Sequence, residues 1–331
     1  MIKDFFFFIK FFFLKNKINY LIFLENENTS IFFEKYIVHF NKKKENVIVL
    51  SFTSSLGKFK NFNYVILKSN FFRLLFFKNI NLKYVYSTTP DLNQSIFVKS
   101  IYKNVKYLYL QHSHVSLLKA YKKDAFLDFD FVSVINKYQE REINYLNRNF
   151  NKNIRFFKLK YSYPQSNFKN EKKQKNKILI APTWDTGFYN DNILFKIIEL
   201  LGKNYDLTLR PHYMSIKKKE LNFQSLKDKI NIDISIKYNF DNYDYLISDW
   251  SGIYLEFAIF KMCFPILINT NMKRRNLHFK DYVTIEEYLR DKIAFNLNID
   301  QIDDIKKLFD YNTRNLEFQK TQIKKFSNLF Y

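Results

Sequence analysis

The sequence predicts an α/β protein of two halves, each a mostly parallel sheet wound with helices. Three observations predict it. Short apolar runs of strand length alternate with helix-length amphipathic stretches along most of the chain. The rhythm fails once, around residues 158–177, and then resumes. Polar clusters follow the strands at their C-terminal ends in both halves, where open α/β sheets place their ligands. A length of 331 residues accommodates two domains of ordinary size. The boundaries read as a first domain at 1–158, a linker at 159–177, a second domain at 178–300 and a helical segment at 301–331.

In the first half, residues 18–24 form a mostly apolar strand, 25–30 a turn and helix cap, and 31–40 a helix. Strands follow at 47–52, 64–67, 84–87, 106–110 and 131–135, the last leading into a helix over 137–146. Strands spaced by helix-length connections imply parallel pairing. The linker is polar and lysine-rich from 165 to 177. Beyond it, strands are expected at 178–181, 205–210, 232–236, 245–247 and 264–268. Helices are expected near 192–201 and 217–227 and after Gly252, and one or two more within 301–331. No internal repeat appears beyond this shared rhythm.

Composition narrows the function classes. A hydrophobic content of 47%, with 20% aromatic residues, excludes general disorder and supports a large core. Lys+Arg at 54 against Asp+Glu at 32 gives +22, which calls for an anionic partner: nucleic acid, an anionic bilayer or phosphorylated substrates. The lysines are scattered, the aromatics fall in apolar runs, and no RNA-recognition or zinc-finger spacing occurs, so nucleic acid is set aside. A single cysteine, Cys263, forbids an intrachain disulfide and a Cys-rich zinc site, and its apolar surroundings mark it as core. The aromatic tract from Phe5 to Leu14 is broken by Lys10, falls short of the ~20 residues a bilayer span needs, and lacks a small-residue cleavage site. Two readings stand for it: a segment lying in the headgroup region of an anionic membrane, or a first helix or strand packed on the core. The expected location is the cytoplasm, with peripheral association at the inner face of the cell membrane as one outcome.

The stretch richest in chemistry is Ser248-Asp249-Trp250-Ser251-Gly252, between a strand and an amphipathic helix. Small hydroxyl residues at a helix start offer N–H groups to a phosphate; Ser and Asp are also ordinary helix caps. Four further clusters follow strands: Thr88-Thr89-Pro90-Asp91, Gln111-His112-Ser113-His114-Val115-Ser116, Pro182-Thr183-Trp184-Asp185 and Arg210-Pro211-His212-Tyr213. In a two-domain α/β protein such edges can face one cleft, which is the case for an active site. Histidine is the natural base at neutral pH. His112 and His114 share a face on an extended segment, yet a third and fourth ligand at metal spacing are missing, so no metal is expected. Arg210-Pro211-His212 sets a fixed cation and a proton donor around a rigid proline, suited to a diphosphate, with an incidental surface loop as the plain alternative.

Five blocks, in order, resemble the CDP-glycerol glycerophosphotransferase family. They are Thr89-Pro90-Asp91-Leu92; Gln111-His112-Ser113 through Ser116 with Tyr121, Ala125-Phe126, Asp128 and Asp130; Ile178 through Trp184; Leu209-Arg210-Pro211-His212; and Ile247 through Gly252 with Glu256-Phe257-Ala258. The similarity covers roughly residues 85–270. It implies a GT-B architecture of two Rossmann-like domains facing a central cleft, CDP held mainly by the C-terminal domain, no cofactor and no essential metal. It implies His112 and His212 as the catalytic pair, with Arg210, Ser248, Asp249, Ser251 and Gly252 around the donor's phosphates and nucleotide. Ser113, His114, Ser116, Thr183 and Trp184 become candidate acceptor or donor contacts. Two departures stand out: Tyr213 replaces the proline that follows the basic-Pro-His motif, and His114 aligns with the histidine of another branch of the family.

The expected function is transfer of glycerol phosphate or a related polyol phosphate from a CDP-activated donor to a hydroxyl of a surface glycan or its lipid-linked precursor. A GT-B glycosyltransferase using a nucleotide sugar is one alternative. A non-catalytic glycan- or lipid-binding protein of the same fold is the other.

Overall fold

In the computed structural model the chain forms two compact units: Met1–His112 with Tyr121–Tyr161, and Ser113–Ala120 with Ser162–Tyr331. The structure describes all residues except 1–3, 7, 10, 12–17, 26, 53–62, 161–175, 190–191, 236–237 and 273–276. The linker expected at 159–177 falls largely, and residues 12–14 of the N-terminal tract entirely, outside the described residues.

The first unit is built on seven parallel strands: β1 (Tyr20–Leu24), β2 (Val47–Ser51), β3 (Asn63–Ile66), β4 (Tyr84–Ser87), β5 (Lys106–Tyr109), β6 (Phe131–Val134) and β7 (Arg155–Lys158). Their order is β3-β2-β1-β4-β5-β6-β7. Central strands such as Val47–Ser51 are buried along their whole length, which is why they read as unbroken apolar runs rather than as alternation. Helices α1 (Glu34–Lys43), α2 (Asn70–Asn79) and α3 (Lys137–Phe150) cross between strands. The Asn136 side chain caps α3 by accepting the Gln139 N–H, and Asn151, left-handed at φ 48°, ends it. Ile22, Leu24, Phe33, Phe40 and Val49 fill one side of the sheet.

The described part of the N-terminal tract packs on the first unit through some of its residues. Residues 4–6, 8–9 and 11 are helical. Phe11 is fully buried with its ring 4.3 Å from that of Phe76, and the Asp4 carboxylate accepts the Lys68 and Ser69 N–H groups at the start of α2. Phe5 and Phe6 face outward, 50% and 65% exposed.

The second unit carries six parallel strands: β8 (Lys177–Ile180), β9 (Asp206–Leu209), β10 (Asn231–Ile232), β11 (Tyr245–Ser248), β12 (Ile266–Ile268) and β13 (Phe295–Leu297), in the order β10-β9-β8-β11-β12-β13. Among the described residues six helices accompany them: α4 (Ile193–Leu201), α5 (Tyr213–Lys218), α6 (Ile253–Lys261), α7 (Ile285–Ile293), α8 (Ile305–Arg314) and α9 (Leu316–Phe326). Ile178, Ile180, Ile247, Ile266 and Ile268 form the centre of its core, each contributing about 1.5–3 kcal/mol by leaving water. Ile302, Ile305 and Phe309 join the same core, so the helical segment at 301–331 is part of this unit.

Two expected elements differ from the structure. The helix expected at 217–227 is not formed: α5 precedes it, ending where Lys219 turns left-handed at φ 55° and returns its N–H to the Ser215 and Ile216 carbonyls, and only a 3-10 turn at Phe223–Leu226 follows. Of the strand expected at 232–236, only Asn231–Ile232 pairs, against Thr208 and Leu209. Both sheets follow the doubly wound order, in which the strand sequence reverses direction between β1 and β4 and between β8 and β11. At such a switch point the loops leaving the strands part and open a crevice at the carboxyl edge.

Candidate active site

At the switch point of the second sheet, the loops after β8 and β11 are laced together by the residues between Ser248 and Gly252. The Ser248 hydroxyl donates to the Ala181 carbonyl at 2.7 Å. Asp249 is fully buried; its Oδ1 accepts the Thr183 N–H at 2.8 Å and its Oδ2 the Thr186 hydroxyl at 2.7 Å. Burial raises the Asp249 carboxyl, and these donors with the Arg290 guanidinium oppose the rise. Ser248 and Asp249 therefore hold the turn from inside. Half-buried Ser251, whose Oγ lies 3.5 Å from the Ile253 N–H, is the hydroxyl at the start of α6.

Gly252 owes its identity to a close approach. A Cβ there would lie 2.6 Å from Ser113 Oγ and 3.0 Å from Val115 Cγ1. The segment Ser113–Ala120, placed by sequence in the first half, packs within the second unit against this turn. The Ser116 N–H donates to Glu286 Oε1 at 2.8 Å, and its Oγ accepts the Leu118 and Lys119 N–H groups. Lys119 Nζ sits 2.8 Å from both Glu287 oxygens. His114 is 1% exposed, edge-on to Phe330, and burial pushes its imidazole down to about 3. It is a neutral core histidine, and among the described residues no group of three or more His, Cys, Asp or Glu is placed to hold a metal.

Arg210 and His212 follow β9 at the same carboxyl edge. Arg210 Nη1 pairs with Asp233 at 2.6 Å, its Nη2 donates to the Ser235 carbonyl at 2.7 Å, and the guanidinium lies 4.5 Å from the Tyr238 ring centre. Its charge is thus balanced within the unit. His212 is exposed and caps α5: its Nδ1 accepts the Met214 N–H at 3.1 Å, which assigns the proton of the neutral ring to Nε2. Its ring stacks at 29° on Trp184, and Lys218 Nζ lies 4.2 Å from the Trp184 ring centre. Thr183 spends its N–H on Asp249.

His112 belongs to the first unit, directly after β5 and Leu110. It is half-buried, its ring 5.2 Å from that of Phe32 and its Nδ1 3.4 Å from the Tyr109 hydroxyl. Burial pushes its imidazole down to about 4, against an opposing hydrogen bond with the Leu110 main chain. A neutral imidazole is the form a proton acceptor must take.

Sequence reasoning missed Arg290. It is 4% exposed on α7, donates to the Asp249 carbonyl at 2.7 Å and lies 4.0 Å from the Trp250 ring centre. The detectable signal was Thr284-x-x-Glu287, which forms a complete capping box and marks the start of α7.

Residues 165–325 match the family model described as CDP-Glycerol:Poly(glycerophosphate) glycerophosphotransferase. Among solved structures, the chain is similar to the wall teichoic acid polymerase TagF soaked with CDPG: 13% identity, 99% of this chain and 92% of that one, TM-score 0.58. It is also similar to WaaG, a glycosyltransferase involved in lipopolysaccharide biosynthesis: 9% identity, 93% and 95% coverage, TM-score 0.52. A third similar structure is Anabaena Alr3699/HepE with UDP and glucose: 8% identity, 95% of each chain, TM-score 0.52. No curated protein matches the chain. Two doubly wound units and these likenesses give the fold as GT-B.

Proposed function

We propose, from the match of residues 165–325 to the family model described as CDP-Glycerol:Poly(glycerophosphate) glycerophosphotransferase, that the chain is a transferase acting on a CDP-activated polyol. It moves glycerol phosphate or a related polyol phosphate to a hydroxyl of a surface glycan or its lipid-linked precursor. The observation that carries the reading is the turn Ser248–Gly252, braced from within at the switch point of the unit that the family model covers.

In this reading His112 accepts the proton of the acceptor hydroxyl. The freed oxygen attacks the phosphorus that bears the polyol, a new P–O bond forms, and the bond from that phosphorus to the bridging oxygen breaks. CMP departs with the bridging oxygen and its electron pair. His212, carrying its proton on Nε2, donates to the departing phosphate. The Ser251 hydroxyl and the N-terminus of α6 neutralise charge as it builds. Arg210 serves the phosphates by exchanging Asp233 for them. Phosphoryl transfer of this kind depends on positioning and charge stabilisation more than on covalent steps.

The membrane enters as the site of the lipid-linked acceptor. Phe5, Phe6 and Phe71 are 50%, 65% and 65% exposed, and the Phe5 and Phe71 rings both lie against Phe72. With +22 overall, such an aromatic face suits the inner surface of an anionic membrane. Among the described residues no helix is long and apolar enough to cross one.

Incubation with CDP-glycerol, CDP-ribitol and a nucleotide-sugar panel, followed by identification of the released nucleotide, tests the proposal. CMP from a CDP-polyol supports it. UDP or GDP from a sugar donor replaces it with glycosyl transfer, and saturable binding without turnover replaces it with a glycan- or lipid-binding role.

A further inference from the structure

One face of helix α7 holds two separate motifs. Glu286 and Arg290, four residues apart, point the same way. Arg290 donates to the Asp249 carbonyl at 2.7 Å, to the Ile268 carbonyl at 3.1 Å and to Asn269 Oδ1 from Nη2 at 2.8 Å and Nε at 3.2 Å. The same guanidinium stacks on the Trp250 ring. One side chain thereby ties the turn after β11 to the loop after β12. One helical turn earlier, Glu286 accepts the Ser116 N–H, and its neighbour Glu287 pairs with Lys119. The Tyr254 hydroxyl donates to the Glu286 carbonyl at 2.6 Å, fixing α6 against α7.

We propose that α7 is a positioning element for phosphate binding: Arg290 holds the Asp249–Gly252 turn and Glu286 with Glu287 holds Ser113–Ala120, so that the serines of both meet in a fixed geometry. The tight fit of Gly252 under Ser113 and Val115 is the result. The inference rests on the transferase reading for the identity of the ligand, though not for the geometry. Arginine is required. Its planar fork serves three acceptors and an aromatic face at once, whereas the single ammonium of lysine cannot. Arg290 acts through the turn and is not a catalytic residue.

The test combines a ligand titration with an optical signal. Arg290→Lys is expected to weaken binding of CDP by about tenfold or more, the scale of losing a charged hydrogen bond that shaped the site. Ser251→Ala is expected to weaken it as well, and the double variant to lose little beyond the larger single loss, because both changes act on one turn. Ile293→Val, a core truncation on the same helix, controls for lost stability and is expected to leave CDP affinity unchanged. Additive losses for Arg290→Lys and Ser251→Ala, or unchanged affinity in Arg290→Lys, overturn the proposal.

The chain has two tryptophans, so in a Trp184→Phe background the emission reports Trp250 alone. Arg290→Lys is expected to shift that emission without any ligand, and an unshifted spectrum also overturns the proposal. Failure of the wild-type protein to bind CDP or CMP defeats the transferase reading instead, leaving the positioning role to be decided by the emission.

Discussion

His112 and His212 enter the proposed reaction with their protons already assigned, the first neutral because it is buried, the second carrying hydrogen on Nε2 because its Nδ1 is occupied. His112→Ala and His212→Ala are each expected to lower CMP release by about a hundredfold or more, the usual scale for a lost acid or base, with the fold retained. Rates near wild type for both would remove them from the mechanism. Glu286 offers a different measurement. Burial raises its carboxyl to about 7 from the ordinary 4.5, with the Ser116 N–H opposing and Glu287 adding to the rise. Between those two values the folded state binds more protons than the unfolded chain. The stabilisation is therefore complete below about 4.5 and is lost as pH rises through about 7. Glu286→Gln cannot titrate, so its melting temperature should gain on that of wild type from pH 4.5 to 8. The full difference is of order 3 kcal/mol, and parallel pH curves would count against the burial argument. His114 and His112 work in the other direction: their folded values of about 3 and about 4 lie below 6.5, so their contribution is lost on acidification from about 6.5.

At the scale of elements, the close packing at Gly252 gives the sharpest prediction. Gly252→Ala inserts a methyl group where Ser113 Oγ stands 2.6 Å away, and should destabilise the protein by about 1–3 kcal/mol while weakening CDP binding. An unchanged melting temperature would mean that Ser113–Ala120 does not lie on the turn in solution. The strands of both sheets were legible because burial on two faces leaves continuous apolar runs, as in Val47–Ser51 and Ile178 to Ile180. The last strand of each sheet was not: β7 is Arg-Phe-Phe-Lys, with exposed ends and half-buried phenylalanines, and β13 is Phe-Asn-Leu, with only Leu297 buried. The turn Ser248–Gly252 was legible as a strand-to-helix turn because a strand, small polar residues and a helix follow in order. That Asp249 braces the turn, that Arg210 is balanced by Asp233, and that Arg290 spans two loops are tertiary facts. They join residues far apart in sequence and carry no local signature.

For the whole molecule, the proposed membrane association predicts binding that salt weakens. Sedimentation with anionic liposomes should recover the protein at ~0.1 M salt, where the Debye length is about 10 Å, and lose much of it at ~1 M, where it is about 3 Å. Phe5→Ser with Phe6→Ser should reduce binding at both concentrations, because those rings are outward-facing while Phe11 remains in the core. Equal recovery in the soluble fraction with and without anionic liposomes would assign the tract to packing alone. The course of the chain through Ser113–Ala120 bears on how the molecule is made. These residues are synthesised early but packed with residues synthesised late, and both Leu117 and Leu118 end 1% exposed. At about 5–20 residues per second, they leave the ribosome roughly ten seconds or more before Tyr254 and Glu286 exist to receive them. During that interval the nascent chain presents two leucines to water and to whatever chaperone reaches them first. Synthesis must pass Glu286 before this segment finds its place.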